Sequence, residues 1–186
     1  AGMPAWGHTL GAVLRMDLWM YLWHFMNHKV PVLWRFHRVH HADPNMDVTT
    51  ASRFHTGEII LSSALRIGVI MITGLYLWEL LLYETIMFAV VQFHHADIAL
   101  PERFDKALRL FIVTPAMHKV HHSRWQPETD SNYSSLFSFW DRIGKTFRLH
   151  NPLKTLRIGL DEFDRDEDKK VKGLFTMPFR KPDDKK

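Results

Sequence analysis

Histidines recur in this chain at spacings that a helix brings together on one face. Two pentapeptides share one pattern, His37-Arg-Val-His40-His41 and His118-Lys-Val-His121-His122, and His24-Phe-Met-Asn-His28 adds a further pair. Residues three and four positions apart are neighbours on a helix surface. Neutral imidazole is the commonest metal ligand among side chains. One such pair is usually structural, but three motifs in so short a chain predict helices that bind metal.

Cysteine is absent from the 186 residues, and this restricts the kind of metal site. Thiolate zinc sites, iron–sulfur clusters, disulfides and cysteine nucleophiles are excluded. The Glu-x-x-His pairs of soluble di-iron bundles are also missing. Eight or nine imidazoles exceed the ligands of one zinc ion, so we expect two metal ions. Imidazole suits zinc, copper, iron and nickel alike, and the motifs therefore leave the metal open.

Residues 59–91 form a nearly continuous apolar segment, interrupted by Arg66, Glu79 and Glu84. As one helix this segment would be about 50 Å long, whereas the hydrocarbon core of a bilayer is roughly 30 Å thick. A reversal near Thr73-Gly74 would instead give an apolar hairpin over about residues 59–92. We expect this hairpin to lie in a membrane. The alternative is a buried hairpin in a soluble protein, which the three charges favour because charges are costly in lipid.

The histidine motifs flank the predicted hairpin. His41 precedes it, and His94-His95 follows it directly. If the hairpin enters and leaves the bilayer on one side, the motifs all lie at that membrane face. Residues 10–23 are a second apolar stretch, which can be the end of another membrane helix that leads to His24 and His28.

Composition changes after residue 150. Residues 161–173 alternate acidic and basic side chains, and the sequence finishes with Phe-Arg-Lys-Pro-Asp-Asp-Lys-Lys. We therefore expect one catalytic domain over residues 1–150 and a charged, solvated tail with little core over residues 151–186. A specific binding tail is the alternative. The formal charge of +4 is small and dispersed, so we expect no nucleic-acid partner.

The order of these features resembles the fatty acid hydroxylase and sterol desaturase superfamily, which are membrane-bound, histidine-rich di-iron oxygenases. The resemblance extends beyond the histidines and covers about residues 17–147. The matching segments are residues 22–28, 31–41, 50–55 with Glu58, 114–123, Asn132-Tyr133 and Trp140-Asp141-Arg142.

The resemblance implies an all-α fold: a membrane helical bundle with a cytosolic, histidine-rich helical cap, from which one or two N-terminal membrane helices are missing. It implies an integral protein of the bacterial inner membrane or the endoplasmic reticulum, with its active site on the cytosolic face. The implied reaction is hydroxylation or desaturation of a fatty acyl, sterol or related lipid with O2. Two iron ions would serve as cofactor, with zinc as a recombinant substitute. Electrons would come from a b-type cytochrome, or from a ferredoxin with its reductase.

By the same resemblance, nine histidines are the expected metal ligands, and no catalytic residue is expected beyond them. The nine are His24, His28, His37, His40, His41, His95, His118, His121 and His122. His95 is preferred to His94 because the family has a histidine in a His-Ser-Asn-like segment, which here reads His95-Ala-Asp97. His8 and His150 lie outside every motif and are given no role.

Two further expectations concern carboxylates. A zinc-dependent membrane hydrolase, or a metal-binding membrane protein, is the alternative function, but a hydrolase needs a general base and no histidine motif contains a glutamate. Four aspartates near the motifs could orient imidazoles, namely Asp43, Asp47, Asp130 and Asp141. For Asp43 a simple turn at Asp43-Pro44-Asn45 is an equal alternative.

Overall fold

The computed structural model describes residues 4–150 and 152–181, and this part of the chain is helical, with two isolated β-bridges and no strand. The expectation of an all-α fold is confirmed. Its α-helices are α1 (Ala5–Lys29), α2 (Pro31–His41), α3 (Thr56–Thr73), α4 (Leu77–His95), α5 (Glu102–Leu108), α6 (Pro115–His121), α7 (Gln126–Thr129), α8 (Phe139–Ile143), α9 (Asp166–Lys169) and α10 (Val171–Thr176). Short 3₁₀ turns lie at Thr50–Ser52, Leu153–Thr155, Asp161–Phe163 and Met177–Phe179.

A single residue separates α1 from α2. Pro31 is at the first position of α2, and Val30 before it has an extended backbone. Proline has no N–H and disfavours helical geometry in the preceding residue, so α1 ends there and the chain turns sharply. This corner brings the last turns of α1, with His24 and His28, against the histidine face of α2.

The apolar segment forms two antiparallel helices, α3 and α4. Gly74 ends α3 with a φ of +64°, a left-handed conformation that glycine adopts without steric cost. The expected reversal near Thr73-Gly74 is therefore confirmed. Arg66 on α3 and Glu84 on α4 form an ion pair at 2.6 Å. Both lie equally far along the chain from Leu75, as expected for two helices that run antiparallel from the reversal.

The hairpin of α3 and α4 has apolar side chains on its outer surface and buries polar ones, the reverse of the usual arrangement in a soluble protein. Its outward side chains are large and apolar, among them Ile59, Ile60, Ile67, Met71, Ile72, Leu77, Trp78 and Phe88. Glu58, Glu79 and Tyr83 are buried instead. By length and composition, one helix of the described residues could cross a membrane, Thr56–Thr73, and only 6% of it is buried.

One buried carboxylate fastens α1 to the rest of the molecule. Asp17 is fully buried and accepts hydrogen bonds from the backbone N–H groups of Leu136 and Phe137, from the indole of Trp140 and from the hydroxyl of Tyr83. A buried charge is tolerated when it is hydrogen-bonded in this way. Asp17 therefore holds the segment before α8 against α1 and α4.

The segment after residue 151 differs from the expected solvated tail with little core. Phe163 and Met177 are buried, and they pack against Val39 and Ala42 on the outer side of α2. Several charges of this segment are paired, as in the ion pair between Arg180 and Asp168 at 2.5 Å. The segment therefore contributes to a small hydrophobic cluster, which the alternation of its charges did not predict. Residues 182–186 of the predicted tail lie outside the described residues.

Candidate metal centre

The nine histidines expected as ligands converge from α1, α2, α4 and the α6 region into two clusters. The first histidine group is His24, His28, His37, His41 and His121. The second histidine group is His40, His95, His118 and His122. Within each group the nitrogens that could bind a metal lie within 4.8 Å of one another, and all nine residues are buried or half-buried.

Each H-x-x-H-H motif contributes to both groups. His37 and His41 belong to the first group, whereas His40 between them belongs to the second. His118 and His122 belong to the second group, and His121 to the first. Positions i and i+4 lie about 40° apart around a helix, while i+3 lies on the other side of i. Each of the two motifs can therefore supply histidines to two neighbouring sites from a single helical segment.

Hydrogen bonds fix the tautomers of three imidazoles in the first group. The Nδ1 atoms of His24 and His121 donate to the carbonyls of Tyr133 and Ser131 at 2.8 and 2.7 Å. Nδ1 of His37 donates to Oε1 of Glu58 at 2.8 Å. Since each Nδ1 carries the proton, each Nε2 presents a lone pair. These buried Nε2 atoms have no hydrogen-bond partner among the described residues.

Backbone carbonyls also fix the tautomers of two imidazoles in the second group, and here the Nε2 atoms lie close together. Nδ1 of His40 donates to the carbonyl of Thr50 at 3.1 Å, and Nδ1 of His95 donates to that of Val91 at 2.8 Å. Their Nε2 lone pairs then face each other at 3.3 Å, and Nε2 of His118 lies 3.1 Å from that of His95. Nitrogens bound to one metal at about 2.0–2.1 Å are on the order of 3 Å apart. The donor atoms of this group therefore fit a metal ion.

Burial favours the neutral form of several imidazoles in both groups. Desolvation, helped by neighbouring imidazoles, lowers the pKa values of His118, His121 and His122 well below the usual 6.5. The same causes lower the pKa values of His40 and His41. A neutral imidazole is the form that binds metal, so the site needs no deprotonation at neutral pH.

Glu58 is the carboxylate that the motif-based reasoning missed. It is 5% exposed, bonds His37, and has no lysine or arginine partner among the described residues, and its Oε2 is buried without a hydrogen bond. The available signal was its place in the segment that resembles the family, just after His55. The absence of glutamate from the histidine motifs therefore did not mean that the site has no carboxylate.

The aspartates expected to orient imidazoles differ in their partners and in their distance from the histidine groups. Asp130 lies 3.6 Å from Nδ1 of His28 but is paired with Lys29 at 2.8 Å. Asp43 accepts from the backbone of Asn45 and the hydroxyl of Thr50, and thus forms a turn that also steadies the carbonyl bonded to His40. Asp47 caps the same turn through bonds to Thr49 and lies outside both groups.

The loop between α7 and α8 carries the two carbonyls that orient His24 and His121. Its central residue, Asn132, has a φ of +52°, which asparagine tolerates better than most residues. The Asn132 side chain donates to the carbonyls of Met117 and Arg148 at 2.9 and 2.7 Å and accepts from the N–H of Arg148. Asp141 accepts from the N–H of Tyr133 at 2.7 Å, and burial raises its pKa. The loop is thereby held rigid behind the first group.

The other histidines lie outside both groups. The His94 ring packs on His118 with centroids 4.0 Å apart. His8 is hydrogen-bonded to Glu79 at 2.8 Å, and His150 to Glu128 at 2.6 Å.

A cavity of about 450 Å³ is lined by residues of α1, α2, α3 and α4. Imidazoles of both groups line it, among them His24, His37, His40 and His95. Its walls are mainly apolar and include Met20, Trp23, Ile59, Met87, Phe88 and Val91. An apolar chain can thus lie directly beside both groups.

Comparison with known proteins gives one family and several relatives. The family model described as fatty acid hydroxylase matches residues 9–146. Ornithine lipid hydroxylase OlsE of Rhizobium tropici is 29% identical over 77% of this chain and 42% of its own length. Human alkylglycerol monooxygenase is 28% identical over 75% of this chain and 30% of its own length. Human cholesterol 25-hydroxylase is 23% identical over 76% of this chain and 51% of its own length.

The chain thus spans between about a third and a half of the length of these relatives. No solved structure gave a significant match.

Proposed function

Because this chain belongs to the fatty acid hydroxylase family, we propose that it hydroxylates a C–H bond of a lipid with O2 at two iron ions, one in each histidine group. The observation that carries the proposal is the mainly apolar cavity that imidazoles of both groups line. The relatives support the substrate class, because their names describe oxygenation of ornithine lipid, alkylglycerol and cholesterol.

The nine histidines would be the iron ligands, five in the first group and four in the second. Iron ions held there would activate dioxygen and supply the oxidising power for an unactivated C–H bond. The chain's own contribution is to fix the ligands. The carbonyls of Thr50, Val91, Ser131 and Tyr133 and the carboxylate of Glu58 each hold an Nδ1 proton, which aims the opposite nitrogen at the site.

The cavity walls would hold the substrate and exclude water. Most of the wall surface is apolar, with Met20, Met87 and Val91 among its residues, so a hydrocarbon segment is favoured there. Glu58 and Arg66 are the charged members of the lining. Exclusion of water also protects reactive species from side reactions.

We further propose that α3 and α4 lie in a membrane and that the histidine groups lie at its cytosolic face. The outward apolar surface of both helices supports this placement, since such surface is costly in water. The start of α3 and the end of α4 both carry residues of the site, Glu58 and His95, so a hairpin that enters and leaves on one side would keep the site whole. Electrons would come from a b-type cytochrome or from a ferredoxin with its reductase, bound at that face.

A zinc-dependent hydrolase is the second candidate, and Glu58 is the observation that favours it. A glutamate beside a zinc site can serve as general base. Its bond to His37 ties up one of its oxygens, however, and only Oε2 is free to accept a proton.

Lipid profiling of a host with and without the gene tests the proposal. We expect a lipid that gains one oxygen atom, and no such product from the His40→Ala variant. A product that has lost two hydrogens would assign desaturation instead. Iron-loaded protein that consumes no O2 with lipid and an electron donor would overturn the oxygenase, and hydrolysis with zinc would then favour the second candidate.

A further inference from the structure

Three large apolar side chains form one exposed face near the end of the described chain. Val171, Phe175 and Phe179 are 72%, 56% and 74% exposed, and they follow one another at intervals of four residues. We call these three residues the C-terminal apolar face. On the opposite side of the same segment, Gly173 and Met177 are buried. The segment thus has apolar side chains on two sides, one packed in the hydrophobic cluster with Val39 and Ala42 and the other turned outward.

The C-terminal apolar face lies beside the start of α3. Nδ1 of His55 accepts from the N–H of Gly57, so Nε2 carries the proton and donates to the carbonyl of Phe175 at 3.2 Å. The His55 ring is also 6.2 Å from that of Phe179, between centroids. Ile59 follows one helical turn after His55 and is 51% exposed. The face is therefore continuous with the outward apolar surface of α3.

Contacts with α2 hold the segment that carries this face. Arg38 of α2 donates hydrogen bonds to the carbonyls of Met177 and Arg180, and its guanidinium stacks on Phe163 at 4.3 Å. Arg38 lies between the metal-group residues His37 and His40. The C-terminal segment is thus bonded directly to the helix that carries His37, His40 and His41.

Exposed lysines flank the face in the sequence. Lys170 and Lys172 lie on either side of Val171, and Lys181 follows Phe179 by two residues. Two exposed acidic residues, Asp166 and Glu167, belong to α9, on whose backbone the buried Gly173 packs. Aromatic side chains with flanking lysines are the composition of segments that lie in the interface of an anionic membrane. A soluble surface has single exposed apolar residues, but a continuous apolar patch indicates a binding surface.

We propose that Val171, Phe175 and Phe179 insert into the headgroup region of the bilayer beside the entry of α3, with the three lysines at anionic phospholipid headgroups. This inference rests on the proposed membrane placement of α3 and α4. It makes α10 and the turn after it a lipid contact that sets the height and tilt of α2, and thereby of the histidine groups, above the bilayer.

The absence of native cysteine allows a direct test by spin labelling. Single-cysteine variants Phe175→Cys and Phe179→Cys would be labelled with a nitroxide and placed in nanodiscs of phosphatidylcholine with phosphatidylglycerol. Ile67→Cys on the outward side of α3 is the lipid reference, and Lys154→Cys is the aqueous reference. Collision rates with O2, which partitions into lipid, and with a water-soluble nickel chelate report the surroundings of each label.

We expect labels at 175 and 179 to resemble the label at 67, with high O2 and low nickel accessibility. High nickel accessibility at 175 and 179 with a lipid-exposed label at 67 would overturn this inference and leave the membrane placement intact. Low accessibility to both reagents would assign the face to a protein partner and also overturn it. High nickel accessibility at 67 would overturn the membrane placement itself, and this inference with it.

A second measurement tests the headgroup contact. With the label at 175, immersion should be deeper in discs that contain phosphatidylglycerol than in phosphatidylcholine alone. Lys170→Glu with Lys172→Glu should abolish that difference, whereas Lys154→Glu, a matched change away from the face, should preserve it. Equal immersion in both lipids for the parent chain would overturn the role of the lysines.

Discussion

The Nε2 atoms of His40 and His95 face each other across 3.3 Å, although both are lone-pair acceptors. Their Nδ1 protons are committed to the carbonyls of Thr50 and Val91, so no hydrogen bond can form between the two rings. Two facing lone pairs in a buried site repel each other. A cation between them would remove this repulsion, so we expect bound metal to stabilise this part of the fold.

The first prediction separates His95 from its neighbour His94. His95→Ala should lower bound metal from two ions to one per chain and abolish lipid oxidation, because no nearby side chain can replace its nitrogen. His94→Ala should retain two ions, since this ring packs on His118 without joining either group. Elemental analysis of purified protein measures both.

His40→Ala, His121→Ala and His122→Ala should behave like His95→Ala, and His8→Ala and His150→Ala should keep both metal and activity. Loss of metal from His94→Ala but not from His95→Ala would show that α4 presents the other histidine.

The second prediction concerns Glu58. Glu58→Gln should weaken metal binding in the first histidine group by about 10- to 100-fold, because the amide holds the Nδ1 proton of His37 less strongly than a carboxylate does. Within residues 4–150 and 152–181 no carboxylate bonds a histidine of the second group, so its affinity should be unchanged. Competition with a chromophoric chelator, fitted to two sites, separates the two affinities.

Asp130→Asn is the matched control for Glu58→Gln. Asp130 also lies near a histidine of the first group, but its charge is paired with Lys29, so we expect little effect. An equal loss of affinity at both sites in Glu58→Gln would indicate general unfolding and contradict the assigned role.

The third prediction concerns the loop behind the first group. Asn132→Ala should lower the free energy of unfolding by roughly 3 kcal/mol, because it removes the side-chain donor to the buried carbonyl of Met117 and places alanine at a positive φ. Thermal unfolding of the metal-free protein measures the loss. Metal affinity should fall at the first group alone, since the carbonyls of Ser131 and Tyr133 would no longer be held in place.

Asn132→Gly is the matched variant, because glycine keeps the backbone conformation but not the hydrogen bonds. It should be less destabilising than Asn132→Ala. Equal stability of Asn132→Ala and the parent chain would show that the loop does not depend on this side chain.

The fourth prediction concerns topology. Single cysteines at Asn45, near Asp43, and at Arg103 should react with a membrane-impermeant thiol reagent from the same side, the cytosolic one, since both flank the hairpin of α3 and α4. Inverted and right-side-out vesicles provide the comparison. Labelling of the two positions from opposite sides would contradict the hairpin placement.

The local features of this protein were accessible from its sequence. The reversal at Gly74 was predictable because a glycine stands between two apolar stretches, where the chain adopts a positive φ. The histidine motifs could be recognised because positions i, i+3 and i+4 are neighbours on any helix, whatever surrounds it. For the same reason the sequence identified the nine histidines that the structure brings together, although their role as ligands stays a prediction.

The tertiary structure alone decided how those histidines are divided and supported. Which group His40 or His121 joins depends on contacts between helices that lie far apart in the chain, as the pairing of His40 with His95 illustrates. The bond from Glu58 to His37 and the packing of Met177 on α2 likewise join distant residues. Helical periodicity fixes the directions of side chains around one helix, but the directions between helices are set by packing, and packing is not a local property of the sequence.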